Sequence, residues 1–338
     1  MSAADPCTRI ISGASIRSAL QIFSFPCGGK YPPLISTISL IVCFGNYQYS
    51  FAVKILILGA AGLLGQAITH RLKDGKSYTL LTPTHSECDI INEKQLKAYI
   101  AGYKPDFVIN CAAYIDVERA EEEQEAAYAG NVIGPRNIAQ ILAADSSSAP
   151  LLHISTDYVF DGEKVEGYAE DDVTGPINIY GKTKLGGEEE IRRYLPQHYI
   201  VRTAWLYGAA RKNNCVDRVI DGSKGKNEIR IVDDQIGCPT FVDDLAEGLL
   251  PFFEGQYPFG TYHLANDGFC SRYELAKTSF DMLGLPVRVI PAKSADFATK
   301  ARRPRYSILQ NNKLPKLRNW KEALSAYLEQ KVVTYEAL

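Results

Sequence analysis

The chain has 338 residues, a net charge of −2 and 46% hydrophobic residues, the profile of a globular protein large enough for two lobes. No basic stripe interleaved with aromatics points to nucleic acid, and no apolar run reaches the ~18 residues that a membrane-spanning helix needs. Eight cysteines, at 7, 27, 43, 88, 111, 215, 238 and 270, form no C-x-x-C pair, so neither a zinc site nor a disulfide framework is indicated and a reducing cytoplasm fits best.

Residues 1–52 stand apart, with one acid (Asp5), three bases (Arg9, Arg17, Lys30) and many Ser, Ile and Cys. The apolar run from Leu34 to Gly45 is short for a membrane span and too far in for a simple signal peptide. The bias to bases and serine would also suit a transit peptide. We read the segment instead as a poorly ordered extension without a role. Met1 and Met282 are the only methionines, and the fold signal begins abruptly at Val53, which would then be a start read from a non-ATG codon.

Val53 to Leu58 is almost wholly apolar and β-branched at alternate positions, as suits a strand buried on both faces. Gly59, Gly62 and Gly65 follow with G-x-x-G-x-x-G spacing, and Gln66–Leu72 reads as a helix with Ile68 and Leu72 on one face. Three glycines in seven residues also make an ordinary tight turn. In the order strand, glycine turn, helix, however, they form the arrangement that holds a dinucleotide pyrophosphate. The helix N-terminus offers free N–H groups, and glycine lets the backbone come close.

The second strand is Ser77–Thr82. At this point NAD-specific sites place an acid on the ribose 2′-hydroxyl. Thr82-Pro83-Thr84-His85-Ser86 carries none, so a 2′-phosphate would not be repelled. Glu87 and Asp89 come later, in a turn leading to a helix over Glu93–Ala101. The strand Asp106–Ala113 runs into small residues, which leave room for a flat cofactor, although tight packing explains them nearly as well. Helices over Glu118–Ala129 and Asn131–Ala144 precede the strand Leu151–Ile154 and its terminal Ser155-Thr156-Asp157-Tyr158. The alternation predicts an α/β fold: a Rossmann-type doubly wound parallel sheet with right-handed crossovers, followed by a smaller C-terminal α/β substrate-binding lobe. Ligands then bind at the carboxyl ends of the strands, where Gly59, Ala112 and Thr156 fall.

Pro176–Lys184 enters a Glu-rich helix on which Tyr180 and Lys184, four apart, share a face. A free phenol titrates near ~10 and a neighbouring ammonium favours its ionised form, so the pair suits proton transfer. An amphipathic surface pair has the same spacing, but the upstream glycine turn and strand-end Ser-Thr favour chemistry. Strands at Tyr199–Thr203 and Gly260–Leu264 follow, with Glu228–Val232 leading into Asp233–Thr240 between them and helices at 243–253, Tyr273–Gly284 and Trp320–Gln330. Trp205, just past a strand end, reads equally well as core or as pocket wall. Ala301–Arg305 is a basic cluster, either a solvated loop or arginines facing a pyrophosphate. The expected domains are an extension (1–52), a dinucleotide-binding domain (53–205 with about 229–252) and a substrate lobe (about 206–228 and 253–330).

From 53 to about 330 the chain resembles the extended short-chain dehydrogenase/reductases, and within them the reductases of dTDP-linked 6-deoxy-4-keto sugars. The carrying pieces are Lys54–Gly62, Asn110–Tyr114, Val117–Glu121, Ser155–Gly162, Tyr180–Lys184, Arg202–Trp205, Asp234–Thr240 and Arg303-Pro304. The resemblance implies Thr156, Tyr180 and Lys184 as catalytic residues and Val117, Thr156, Tyr158 and Trp205 around the sugar. It implies cofactor contacts from Gly59, Gly62, Leu63, Leu64, Gly65, Asp89, Ile90, Ala112, Ala113, Tyr114 and Asn131, together with Tyr180 and Lys184. The cofactor would be NADPH, with NADH as a second donor. Tyr180 would protonate the developing alkoxide, Lys184 would lower the Tyr180 pKa and hold the nicotinamide ribose, and Thr156 would hydrogen-bond the carbonyl oxygen. Two departures stand out. Some members join through a metal held by a Glu two residues past the last turn glycine, where this chain has Ala67, so no metal site is expected and a monomer or weak homodimer is. A Phe common in members after the Asn pair is here Cys215. A sugar-nucleotide epimerase or dehydratase, and a non-catalytic partner of methionine adenosyltransferase, are the alternatives on the same fold.

Overall fold

The computed structural model describes residues 53–73, 78–144, 149–209 and 214–336, and with them two short strands, Val42–Phe44 and Tyr47–Tyr49, paired antiparallel. The rest of the N-terminal extension, and with it the expectation of poor order there, lies outside the described residues.

Six parallel strands form the central sheet: β1 (Val53–Leu58), β2 (Tyr78–Leu81), β3 (Phe107–Asn110), β4 (Leu151–Thr156), β5 (His198–Thr203) and β6 (Gly260–His263). Their spatial order is β2-β1-β3-β4-β5-β6. The order reverses between β1 and β3, which opens a crevice at their carboxyl ends. Alternate residues of β1 serve opposite faces. Ile55 and Ile57 pack with Leu64, Ile68 and Leu72 of α1 (Leu63–Lys73) and with Leu245, Leu249 and Phe252 of α6 (Val242–Phe253). Leu56 and Leu58 pack with Leu96, Ile138, Leu142 and Ile191, which come from α2 (Glu93–Tyr103), α3 (Gly134–Ala144) and α4 (Ile179–Tyr194). Helices cover both faces, so the doubly wound Rossmann-type sheet read from the sequence is the fold. Each such aliphatic side chain, fully removed from water, contributes roughly 1.5–3 kcal/mol.

Three features differ from the sequence reading. Gly260–His263, assigned to the substrate lobe, is β6 of the central sheet, parallel to β5. Glu228–Val232, assigned to the dinucleotide-binding domain, instead pairs with Arg288–Ala292 outside that sheet. Both strands are short and half-polar, so only their pairing partners show which sheet they complete. The helix expected over 118–129 breaks into Val117–Ala120 and Gln124–Tyr128, and a π-helical turn at Ala129–Ile133 leads into α3.

Past β5 the chain builds a second core. Tyr207, Phe241 and Leu275 pack against Trp320, Leu324 and Tyr327 of α8 (Trp320–Glu336). Here lie α5 (Cys215–Ser223) and α7 (Arg272–Leu283). Helix α4, which carries Tyr180 and Lys184, is pinned to the sheet from beneath. Glu188 accepts from Arg202 Nε at 2.9 Å and Nη2 at 2.7 Å, from Arg192 at 2.7 Å and from the Ser155 hydroxyl at 2.5 Å. Burial pushes the Glu188 carboxyl up, but these donors outweigh it and hold it below the usual range.

Candidate active site

A cleft of about 1320 Å³ runs along the carboxyl edge of the sheet. At its β1 end, Gly59 has φ +77°, and a Cβ there would lie 2.6 Å from the Ala112 backbone nitrogen; one on Gly65 would lie 2.3 Å from the Gly59 carbonyl oxygen. The turn therefore folds tightly against the end of β3, and α1 starts directly above it. Gly59, Gly62, Leu63, Leu64 and Gly65 all line the cleft. The first N–H groups of an α-helix have no intrahelical partner, and this end of the helix carries the positive dipole. The backbone thus fits a pyrophosphate, and a side chain at 59 would force the turn away from the end of β3.

Asp89, Ile90, Ala112, Ala113 and Tyr114 line the same cleft. Asn131 does not. It is 1% exposed and acts from behind: its Oδ1 accepts from Tyr114 N at 2.9 Å while its Nδ2 donates to Tyr114 O at 3.0 Å and Thr183 Oγ1 at 3.1 Å. The π turn presents it there, so Asn131 fixes the β3 loop from behind the cleft. At the β2 edge, Pro83, Thr84 and His85 face the cleft. The acid that 82–86 lacks stands one residue on: Glu87 folds back and accepts from Thr84 N at 2.7 Å and Thr84 Oγ1 at 2.8 Å. The backbone donor chiefly holds its carboxyl below the usual range, so its charge is committed within the loop.

Thr156 at the end of β4 and Tyr180 on α4 meet in the middle of the cleft. The Thr156 hydroxyl sits close enough to the phenol to oppose in part the rise of its pKa, and it donates to Asp157 Oδ1 at 2.9 Å. Burial, with Asp157 and Tyr158 adding to it, raises the Tyr180 pKa well above its ordinary value. The phenol is therefore a held proton, as a general acid requires. The Tyr158 ring meets Tyr180 edge-on, with centroids 5.8 Å apart. Lys184 also lines the cleft, but its ammonium does not act on the phenol as the family pattern implies. Nζ donates to the Ile154 carbonyl at 2.7 Å and stands 3.4 Å from His153 Nε2. The expected lowering of the Tyr180 pKa by Lys184 is thus absent from this arrangement, because the lysine side chain runs down toward the strand.

At the far end lie Val117, Tyr158 and Trp205. Trp205 is a pocket wall under visible constraint. Its φ is +44°, a region that bulky residues rarely occupy; its buried Nε1 has no partner; and the Arg272 guanidinium sits 4.0 Å above its ring. Attraction between a cation and an aromatic face explains the stacking. The D-Q-I-G-C-P-T motif supports this corner. Gln235 donates to Ser294 Oγ at 2.9 Å and accepts from Arg272 Nε at 3.3 Å, while Asp234 accepts from Ser294 N at 2.9 Å. Of the basic cluster, Arg303 reaches the cleft and pairs with Glu118 at 2.5 Å.

The sequence reading assigned no role to Asp157 or Arg272. Asp157 is 2% exposed with Oδ2 unpartnered, and burial pushes its carboxyl up to about 6. Its place between Thr156 and Tyr158 was the available signal. Arg272 has no local signal, since it reaches Trp205 only through the packing of α7. Among the described residues no three His, Cys, Asp or Glu side chains gather as metal ligands.

Residues 53–333 match the family model described as RmlD substrate binding domain. The chain is similar to a dTDP-4-dehydrorhamnose reductase of Mycolicibacterium smegmatis, 40% identical over 280 residues that cover 81% of this chain and 84% of the relative. Two crystal structures share the fold at TM-score 0.78. One, a dTDP-4-dehydrorhamnose reductase of Clostridium acetobutylicum, is 40% identical and covers 82% of this chain and 99% of its own. The other, the Bacillus anthracis dTDP-4-dehydrorhamnose reductase in complex with NADP, is 37% identical and covers 83% and 100%.

Proposed function

Because the chain belongs to the RmlD substrate binding domain family, we propose that it reduces the C4 keto group of dTDP-4-dehydro-6-deoxy-L-mannose to give dTDP-L-rhamnose, at the expense of NADPH. One observation carries the reading: a protonated phenol and a threonine hydroxyl in one cleft, set between a glycine turn that fits a pyrophosphate and an aromatic corner that fits a sugar. The nicotinamide supplies the hydride when it is bound. The chain does the rest. The glycine turn and the start of α1 hold the pyrophosphate, the Thr156 hydroxyl turns from Asp157 to donate to the carbonyl oxygen, and Tyr180 gives its proton to that oxygen as it becomes the alcohol. General-acid assistance of this kind is worth typically 10²–10⁴-fold, and a donor aimed at developing charge adds to it. Lys184 anchors the ribose. Val117, Tyr158 and Trp205 enclose the sugar, with Arg272 and Arg303 beside them for the diphosphate.

The domain division supported here puts the central sheet, β6 included, in the cofactor half and the segments around α5, α7 and α8 in the substrate half. No helix among the described residues is long and apolar enough to cross a membrane. Cys88, Cys111, Cys215, Cys238 and Cys270 are free, in keeping with a cytoplasmic enzyme, and Ala67 in place of a metal-linking acid supports a monomer or weak homodimer. The test is NADPH oxidation followed at 340 nm (the reduced nicotinamide band) with dTDP-4-dehydrorhamnose against other keto-sugar nucleotides. We expect turnover on the first and weak or no turnover on the others. No oxidation with any of them would favour a regulatory role.

A further inference from the structure

His153 lies on β4 directly behind Lys184 and is fully buried. Its hydrogen-bond partners define its tautomer. The Ala112 backbone N–H donates to Asn110 Oδ1 at 3.1 Å, which leaves the Asn110 amide NH₂ facing His153 Nδ1 at 3.0 Å. Nδ1 therefore accepts. A neutral imidazole whose Nδ1 accepts carries its hydrogen on Nε2, and Nε2 faces Lys184 Nζ at 3.4 Å. An N–H thus points at an ammonium, two donors facing each other, whereas the neutral amine would offer its lone pair to that N–H.

From these contacts we propose that His153 is a positioning residue of the reaction: locked by Asn110 with its N–H toward Lys184, it adds to burial in loosening the lysine's hold on its proton and so lowers the upper pH limit of activity. The proposal rests on the reading of Lys184 as part of the active site. The other groups around Nζ support it. Glu188, from the next turn of α4, has its carboxylate committed to Arg202, Arg192 and Ser155. Cys111, from the end of β3, is a neutral thiol, pushed up to about 12 by burial. The Ile154 carbonyl accepts one Lys184 proton at 2.7 Å. Burial first, against the opposing charge of Glu188, brings Lys184 down to about 8. Burial, and then the lysine charge, keeps His153 neutral.

The decisive variant is His153→Gln, whose side-chain carbonyl can face Nζ and accept from the ammonium. The charge on Lys184 then persists to higher pH, so the basic limb of the kcat/KM profile for NADPH and dTDP-4-dehydrorhamnose should move up by about one pH unit. A limb that stays in place while kcat falls would reduce His153 to a packing residue and overturn the proposal. The second measurement needs no variant and no substrate: ¹⁵N-histidine NMR of the wild-type protein, with its five histidines. One imidazole should show a protonated Nε2 and a bare Nδ1, unchanged from pH 6 to 9, and should be the signal lost in His153→Gln or, if that variant does not fold, in His153→Asn. The opposite tautomer, or titration in that range, would overturn the proposal. If wild-type protein fails to turn over the keto sugar, the functional reading falls while the NMR result still decides the role of His153.

Discussion

Replacing Tyr180 by Phe removes one oxygen from the middle of the cleft and nothing else. The ring keeps its edge-on contact with Tyr158. Thr156 loses a neighbour but is not orphaned, since its hydroxyl still donates to Asp157. The stability cost should therefore stay near one ordinary hydrogen bond, about 1 kcal/mol, or about 2 °C in Tm for a chain of this size. The kinetic cost is of another order. With no proton to give to the forming alcohol, the general-acid contribution of 10²–10⁴-fold is lost, about 3–5 kcal/mol of barrier. The glycine turn is untouched, so the NADPH Kd should change no more than a few fold. Stopped-flow and steady-state NADPH oxidation give kcat, tryptophan fluorescence titration gives Kd, and a thermal melt checks the fold. Near-normal turnover in a folded Tyr180→Phe protein would refute the assignment of Tyr180 as the acid.

Four further outcomes follow from the same geometry. Lys184→Met should raise the cofactor Kd and lower kcat together, in contrast to Tyr180→Phe; a variant that changes kcat alone would remove the ribose contact from the reading. NADPH should be used at least as well as NADH, because residues 82–86 carry no acid and Glu87 is committed to Thr84; a strong NADH preference in kcat/KM would show that Glu87 reaches the ribose. Glu188→Gln should destabilise the fold by about 3–5 kcal/mol in denaturant titration, since it leaves Arg202 buried without its counter-charge. In the wild type the carboxyl of Glu188 is held below its ordinary value, so its contribution is complete above the unfolded pKa and disappears as pH falls through the folded one; the gap between wild type and variant should narrow toward acid pH. Deletion of residues 1–52 should leave folding and NADPH oxidation intact, because the first core strand starts at Val53; a truncated protein that does not fold would count against this.

The residues legible in the sequence are those whose position follows from local pattern. An apolar run, three spaced glycines and a helix make β1, the turn and α1, whatever packs around them. In a parallel sheet the carboxyl ends of all strands share one edge, so Gly59, Ala112 and Thr156 had to converge, and the four-residue spacing of Tyr180 and Lys184 puts both on one side of α4. What tertiary structure decided are contacts with no local signature. Asn131 turned out to brace Tyr114 because a π turn rotates it inward. Glu87 curls back onto Thr84, which composition at 82–86 did not convey. Lys184 faces His153 and the Ile154 carbonyl because its side chain has to pass between α4 and β4. Gly260–His263 joined the central sheet because β5 still had an unpaired edge to offer it, and Arg272 came over Trp205 through the packing of α7 against the second core. Backbone periodicity and strand polarity are written residue by residue along the chain, whereas the direction in which a buried polar group points depends on which distant donors and acceptors are left to satisfy it.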